Sequence, residues 1–141
     1  MTISNREIFN NALALLCLDS YTGIETDLSE RAPYLLASVC CTLKSIDKSI
    51  RKSLNLEAQS SFSSVYLSLD SNFPLSDSLA PCASMYVAAM LVIDENPELS
   101  DSLYDKYCDN ISTIMAEYQS EATPSTQAAT CVSISEKYFF D

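Results

Sequence analysis

Apolar residues recur along this chain at helical spacing in four blocks, and the third block is apolar on nearly every side. It runs from Leu79 to Ile93. A helix that is hydrophobic all round has to lie inside other structure. Its start is signalled by Phe73-Pro74-Leu75-Ser76-Asp77, with Ser76 or Ser78 as candidate N-caps and Pro81 in the first turn. Its stop is Asp94-Glu95-Asn96-Pro97-Glu98, which also opens the next helix. Leu79, Ala83, Tyr86, Met90 and Ile93 share one side, and Cys82, Ala89 and Val92 cover another. The small residues Ala80, Ala83, Ala88 and Ala89 let neighbouring helices come close.

The other blocks are amphipathic. The first predicts a helix from about Asn5 to Cys17, with Ser4 and Glu7 at capping-box spacing. Ile8, Ala12, Leu15 and Leu16 form its apolar face, with Phe9 and Leu13 beside it. Gly23, the single glycine, sits in the break after it and is expected in a backbone conformation other residues resist. The second block predicts a helix from about Glu30 to Ser53, with Pro33 in its first turn. Leu35, Val39, Leu43, Ile46 and Ile50 form its stripe, widened by Leu36 and Cys40. The fourth predicts a helix from Asn96 to about Gln119, buried through Leu99, Leu103, Tyr107, Ile111, Ile114 and Tyr118.

Two segments depart from this period. Val65 to Leu69 partly alternates and reads as a short strand or an extended arm. Glu121 to Gln127 reads as a linker. Cys131 to Tyr138 then alternates, with Val132, Ile134 and Tyr138 on one side. That is either a strand, paired with Val65–Leu69 or added to a neighbour's sheet, or a terminus without a fixed partner. The expected architecture is all-α: a four-helix bundle-like domain over residues 1–119 with a central apolar helix. A short extended arm or β-hairpin from the 62–70 segment joins it, and residues 120–141 form a linker and C-terminal extended arm.

Composition narrows the chemistry. The chain has 141 residues, 48% of them apolar, which suits one domain with a real core. Met1 to Glu7 lacks a basic region followed by an apolar block, so no cleavable export signal is expected. The Leu79–Ile93 run is about 22 Å long as a helix, short of a hydrocarbon core of ~30 Å, so no membrane contact is expected. Six cysteines form no CxxC pair and there is no histidine, which disfavours a zinc site. Reduced thiols, acting as small hydrophobes in the helical stripes, are expected instead.

The absence of histidine removes the most frequent general base and the usual partner of a cysteine nucleophile. One glycine cannot build a phosphate loop. Carboxylates at helical spacing, such as Asp101 and Asp105, lie opposite the apolar stripe and read as a solvated surface. Asp70, Asn72 and Asp77 lack the glycine and terminal acid of a calcium loop. No enzyme activity, catalytic residue, cofactor or metal is expected.

Charge adds a positive feature. The net charge is −11, from 19 acids and 8 bases, which disfavours a stand-alone nucleic-acid binder. It suits a surface past which DNA slides without sticking. From Lys44 to Lys52 there are four bases, Lys44, Lys48, Arg51 and Lys52, and one acid, Asp47. From Asp94 to Glu121 there are eight acids, among them Glu98, Asp101, Asp105 and Asp109, and one base, Lys106. These are either two solvated faces of opposite sign or the two halves of a head-to-tail subunit contact. On the second reading Lys44, Lys48, Arg51, Lys52, Glu98, Asp101 and Asp105 are interface candidates. So are Val132, Ile134 and Tyr138 on the C-terminal arm.

Several segments resemble the short helical proteins that join head to tail in tailed bacteriophages. They are Ile8–Leu16, Glu30–Leu36, Phe73–Leu79, Tyr86–Leu91, Asn96–Leu99 and Tyr104–Tyr107. The glycine usual in the middle of that family's third helix is absent, and Val87 or a neighbour stands there. The resemblance covers about Ile3 to Tyr118 and implies a structural role. Many copies would form a homo-oligomeric ring below the portal protein, contact tail or stopper proteins, and let DNA pass without sequence-specific binding. The implied location is the virion, and the host cytoplasm during assembly. The alternative is an acidic helical module that regulates or sequesters a host or phage protein.

Overall fold

The computed structural model describes residues 2–17 and 25–118. The expectations for Gly23, for the 120–141 linker and arm, and for Val132, Ile134 and Tyr138 fall outside that range. Within it the chain is all-α: α1 (Asn5–Leu15), α2 (Glu25–Thr42), α3 (Lys44–Ser53), α4 (Ala80–Val92) and α5 (Pro97–Tyr118). A 3-10 turn, Asp77–Leu79, leads into α4.

The apolar run forms the centre. α4 packs against α5 most extensively, and against α1 and α2. Ala80, Cys82, Ala83, Val87, Ala88, Ala89 and Leu91 are buried, and they occupy several sides of the helix. Met90 and Tyr86 are only half-buried, and Ile93 is exposed beyond the helix end. The wholly buried line therefore passes through Ala83 and Val87 rather than through Met90. Two buried serines stitch this centre together. Ser84 Oγ donates to the Ile8 carbonyl of α1 at 3.3 Å, and Ser100 Oγ of α5 donates to the Ala89 carbonyl at 2.8 Å. Small side chains bring the backbones near enough for a hydroxyl to bridge them, each bond adding about 1 kcal/mol.

The helix ends obey local chemistry. Ser4 and Glu7 form the capping box of α1, with Ser4 Oγ accepting from the Glu7 N–H and the Glu7 carboxylate accepting from the Ser4 N–H. Asn96 Oδ1 accepts from the Leu99 N–H at 3.1 Å and caps α5, with Pro97 as first helical residue. α3 ends in a Schellman motif: the Leu56 N–H reaches the Arg51 carbonyl, the Asn55 N–H reaches Lys52, and Asn55 has φ 55°.

Several expectations are corrected. The buried stripe of α1 is Asn5, Ile8, Phe9, Ala12 and Leu13, while Leu15 is exposed and Leu16 half-buried, because they lie past the core-facing arc. The expected second helix begins earlier, at Glu25, so Pro33 lies inside it rather than in its first turn. It is also two helices, broken at Leu43. The Thr42 hydroxyl bonds the Ser38 carbonyl at 3.1 Å beside that break, a contact that bends helices. In α5 the centre of the buried face is Leu103, Tyr107, Ile111 and Met115, with Leu99, Ile114 and Tyr118 at its margin.

Among the described residues there is no strand, so Val65–Leu69 is not one. That stretch buries Leu67 and Leu69 in the core and leaves Val65 and Tyr66 exposed, held where the Leu67 N–H donates to the Pro33 carbonyl at 3.1 Å. Its continuation ties down the N-terminus instead. Ser4 and Asn72 form an isolated antiparallel bridge, flanked by bonds from Phe73 N–H to the Ile3 carbonyl and from Asn5 N–H to the Ser71 carbonyl. Arg6 pairs with Asp70 at 3.0 Å on the same seam, so Asp70 and Asn72 are occupied in structure.

Candidate interaction surface

α3 is the most sharply two-sided of the described helices. Ile46 and Ile50 face inward, and Lys44, Lys48 and Lys52 are exposed. Lys44 Nζ lies 5.7 Å from the centre of the Phe62 ring, which steers it over the surface segment. Lys48 and Lys52 have no ion-pair partner among the described residues.

Arg51 does not belong to that outer row. Asp47, the single acid in the basic segment, is fully buried and draws Arg51 inward. Arg51 Nε donates to Asp47 Oδ2 at 2.8 Å, Nη1 to the Glu57 carbonyl and Nη2 to the Pro74 carbonyl. Gln59 Nε2 donates to Asp47 Oδ2 at 2.7 Å and to the Lys44 carbonyl. Ser76 donates both its N–H (2.7 Å) and its hydroxyl (2.6 Å) to Asp47 Oδ1. Ser76 therefore does not cap the next helix with its side chain. Burial pushes the Asp47 carboxyl up. The Ser76 hydroxyl, Gln59, the Ser76 N–H and Arg51 outweigh that and hold it below the usual range. Asp47 and Arg51 thus pin the 57–59 and 74–76 segments to α3, so Arg51 is removed from the candidate contact surface.

The acidic row lies as the periodicity requires. Glu98, Asp101, Asp105 and Asp109 are all exposed on α5, with Lys106 as the one base nearby. Ion pairs among the described residues are Arg6–Asp70 and Arg51–Asp47, and neither joins α3 to α5 although the two helices touch. Among the described residues no ion pair links the basic row to the acidic row.

Two further surface features have no counterpart in the helical periodicity. Tyr34 and Tyr66 pack edge to face, ring centres 5.1 Å apart, and stay largely exposed with Val65. Leu54 and Leu56, about half exposed, flank the left-handed Asn55. An Asn followed by an apolar residue just past a helical stripe is the signal that marks this helix end.

The thiols divide by position. Cys40 and Cys82 are buried, and burial pushes them up to about 12 and about 11; Cys41 and then Asp47 add to the shift of Cys40. Cys17 and Cys41 are exposed and Cys108 is half-buried. Among the described residues no group of three or more Cys, Asp or Glu side chains is placed to hold a metal ion. No described helix is long and apolar enough to cross a membrane. No family model, curated protein or solved structure matches the chain.

Proposed function

We propose that this chain is a structural assembly protein, a head–tail adaptor of a tailed-bacteriophage particle that repeats as a ring around the DNA channel. The observation that carries the reading is the split of unpaired charge. Lys44, Lys48 and Lys52 stand on α3, and Glu98, Asp101 and Asp105 stand on α5. Two complementary patches on one subunit can join head to tail, and such contacts close into rings when the rotation permits. The resemblance of Phe73–Leu79, Tyr86–Leu91 and Asn96–Leu99 to phage connectors supports the same role, as does the all-α body. The net charge of −11 keeps such a ring from trapping the DNA backbone.

Electron microscopy and sedimentation of the chain mixed with portal protein test the reading. Rings seated on the portal are the expected result. A strict monomer that ignores both portal and tail components overturns it. Recovery of one host protein from lysate, with no incorporation into particles, favours instead an acidic module that sequesters a partner.

A further inference from the structure

The last turn of α3, the 75–78 turn and the end of α5 enclose an open groove of about 330 Å³. Its apolar walls are Ile50, Leu54, Leu56, Leu75 and Tyr118, and Arg51 closes one side. Leu54 and Leu56 keep about half their surface in water at 50% and 51%, although the backbone that carries them is fixed. The Schellman bonds and the left-handed Asn55 set the direction of both side chains, so the apolar wall stands whether or not anything covers it.

We infer that this groove is the docking site of the chain's own C-terminal segment, Cys131–Asp141. Tyr118, the last described residue, is itself a wall of the groove, so the chain continues from the site's edge. The twelve residues from Gln119 to Thr130 are mostly small and polar, and as a coil they span roughly 20 Å, enough to turn back. Past Thr130 comes the most apolar stretch left in the sequence: Val132 and Ile134 in alternation, then Tyr138-Phe139-Phe140. The charges match in both senses. The segment carries Glu136, Lys137 and Asp141, while the groove is lined by Arg51 and Asp77. A tethered segment meets its site at an effective concentration far above that of a separate chain. Docking in this way covers Leu54 and Leu56 in the free subunit. It does not depend on the adaptor reading, and holds or fails for a protein of any function.

Hydrogen exchange on the full-length chain tests it, against a variant carrying Leu54→Ser and Leu56→Ser. Amides of 131–140 exchange at least about tenfold more slowly in the native chain than in a free peptide of that sequence, and the double variant brings them to the peptide rate. The protection is unchanged on dilution. A tail that exchanges at the peptide rate in the native chain overturns the inference, as does protection that survives in the double variant. Protection that disappears on dilution assigns the groove to a second copy and overturns docking within one chain. A tail variant, Val132→Ser with Ile134→Ser, leaves the helical body untouched and is expected to speed exchange at Leu54–Glu57. No change there also overturns the assignment.

Discussion

Asp47 concentrates more of the fold's polar energetics than any other described side chain. It receives four donors from three separate segments while wholly buried. Removing its charge leaves Arg51 partly buried beside an uncharged amide, and breaking such a pair costs about 3–5 kcal/mol. That is a large part of a total stability of about 5–15 kcal/mol. Asp47→Asn is therefore expected to lower the urea midpoint strongly at neutral pH. The pH dependence is set by the depressed folded-state pKa. The unfolded chain takes up the proton first as pH falls, so the stabilisation is complete above the ordinary aspartate value of about 3.9. It is lost as pH drops through the lower folded value. The gap between wild type and Asp47→Asn should narrow steadily on acidification below about pH 4, measured by urea unfolding at each pH. A gap that stays constant shows that the charge at Asp47 is not what stabilises the native state. Asn55 is a second residue-scale case. Its φ of 55° puts a Cβ in the left-handed region, so Asn55→Ala is expected to cost about 1 kcal/mol and Asn55→Gly to cost nothing, by thermal unfolding.

At the scale of elements, α4 decides whether the domain exists. Val87 is wholly buried at its middle, and α1, α2 and α5 surround the helix. An unpaired carboxylate there costs several kcal/mol, so Val87→Asp should abolish the cooperative melt seen by circular dichroism. Met90→Asp should be milder, because Met90 keeps part of its surface in water. Equal effects from the two changes would mean that α4 is not buried as described. The central place of this helix was legible because its composition leaves no polar face to expose. The α5 start was legible because Asn96-Pro97-Glu98 is a local signal that tertiary structure does not override. The features that were not legible are set by distant contacts. Pro33 reads as a helix start, yet the helix begins at Glu25 and carries the proline inside. Ser76 reads as an N-cap, yet Asp47, 29 residues earlier, claims its hydroxyl. Arg51 reads as one more base on an exposed row, and the same carboxylate turns it inward. A single acid amid bases was the available hint, and periodicity alone does not say which way such an acid points.

At the scale of the whole molecule, the adaptor proposal reduces to whether the charged rows of α3 and α5 meet across subunits. Arg51 has to stay in any test, because its loss unfastens the 57–59 and 74–76 segments and mimics an assembly defect. Lys48→Glu with Lys52→Glu touches only exposed, unpaired side chains, for which changes in stability stay within about 0.5 kcal/mol. The melting temperature should hardly move, while association with further copies on the portal should be lost. Reversing the partner row as well, with Asp101→Lys and Asp105→Lys in the same chain, restores complementarity with the signs exchanged, and assembly should return. Because both rows are solvent-exposed, the wild-type contact should weaken as added salt shortens the Debye length from about 10 Å at 0.1 M to about 3 Å at 1 M. Sedimentation across that salt range, with the three proteins side by side, separates the cases. Assembly that survives the lysine reversal, or that the fourfold change fails to rescue, removes the charge basis of the ring.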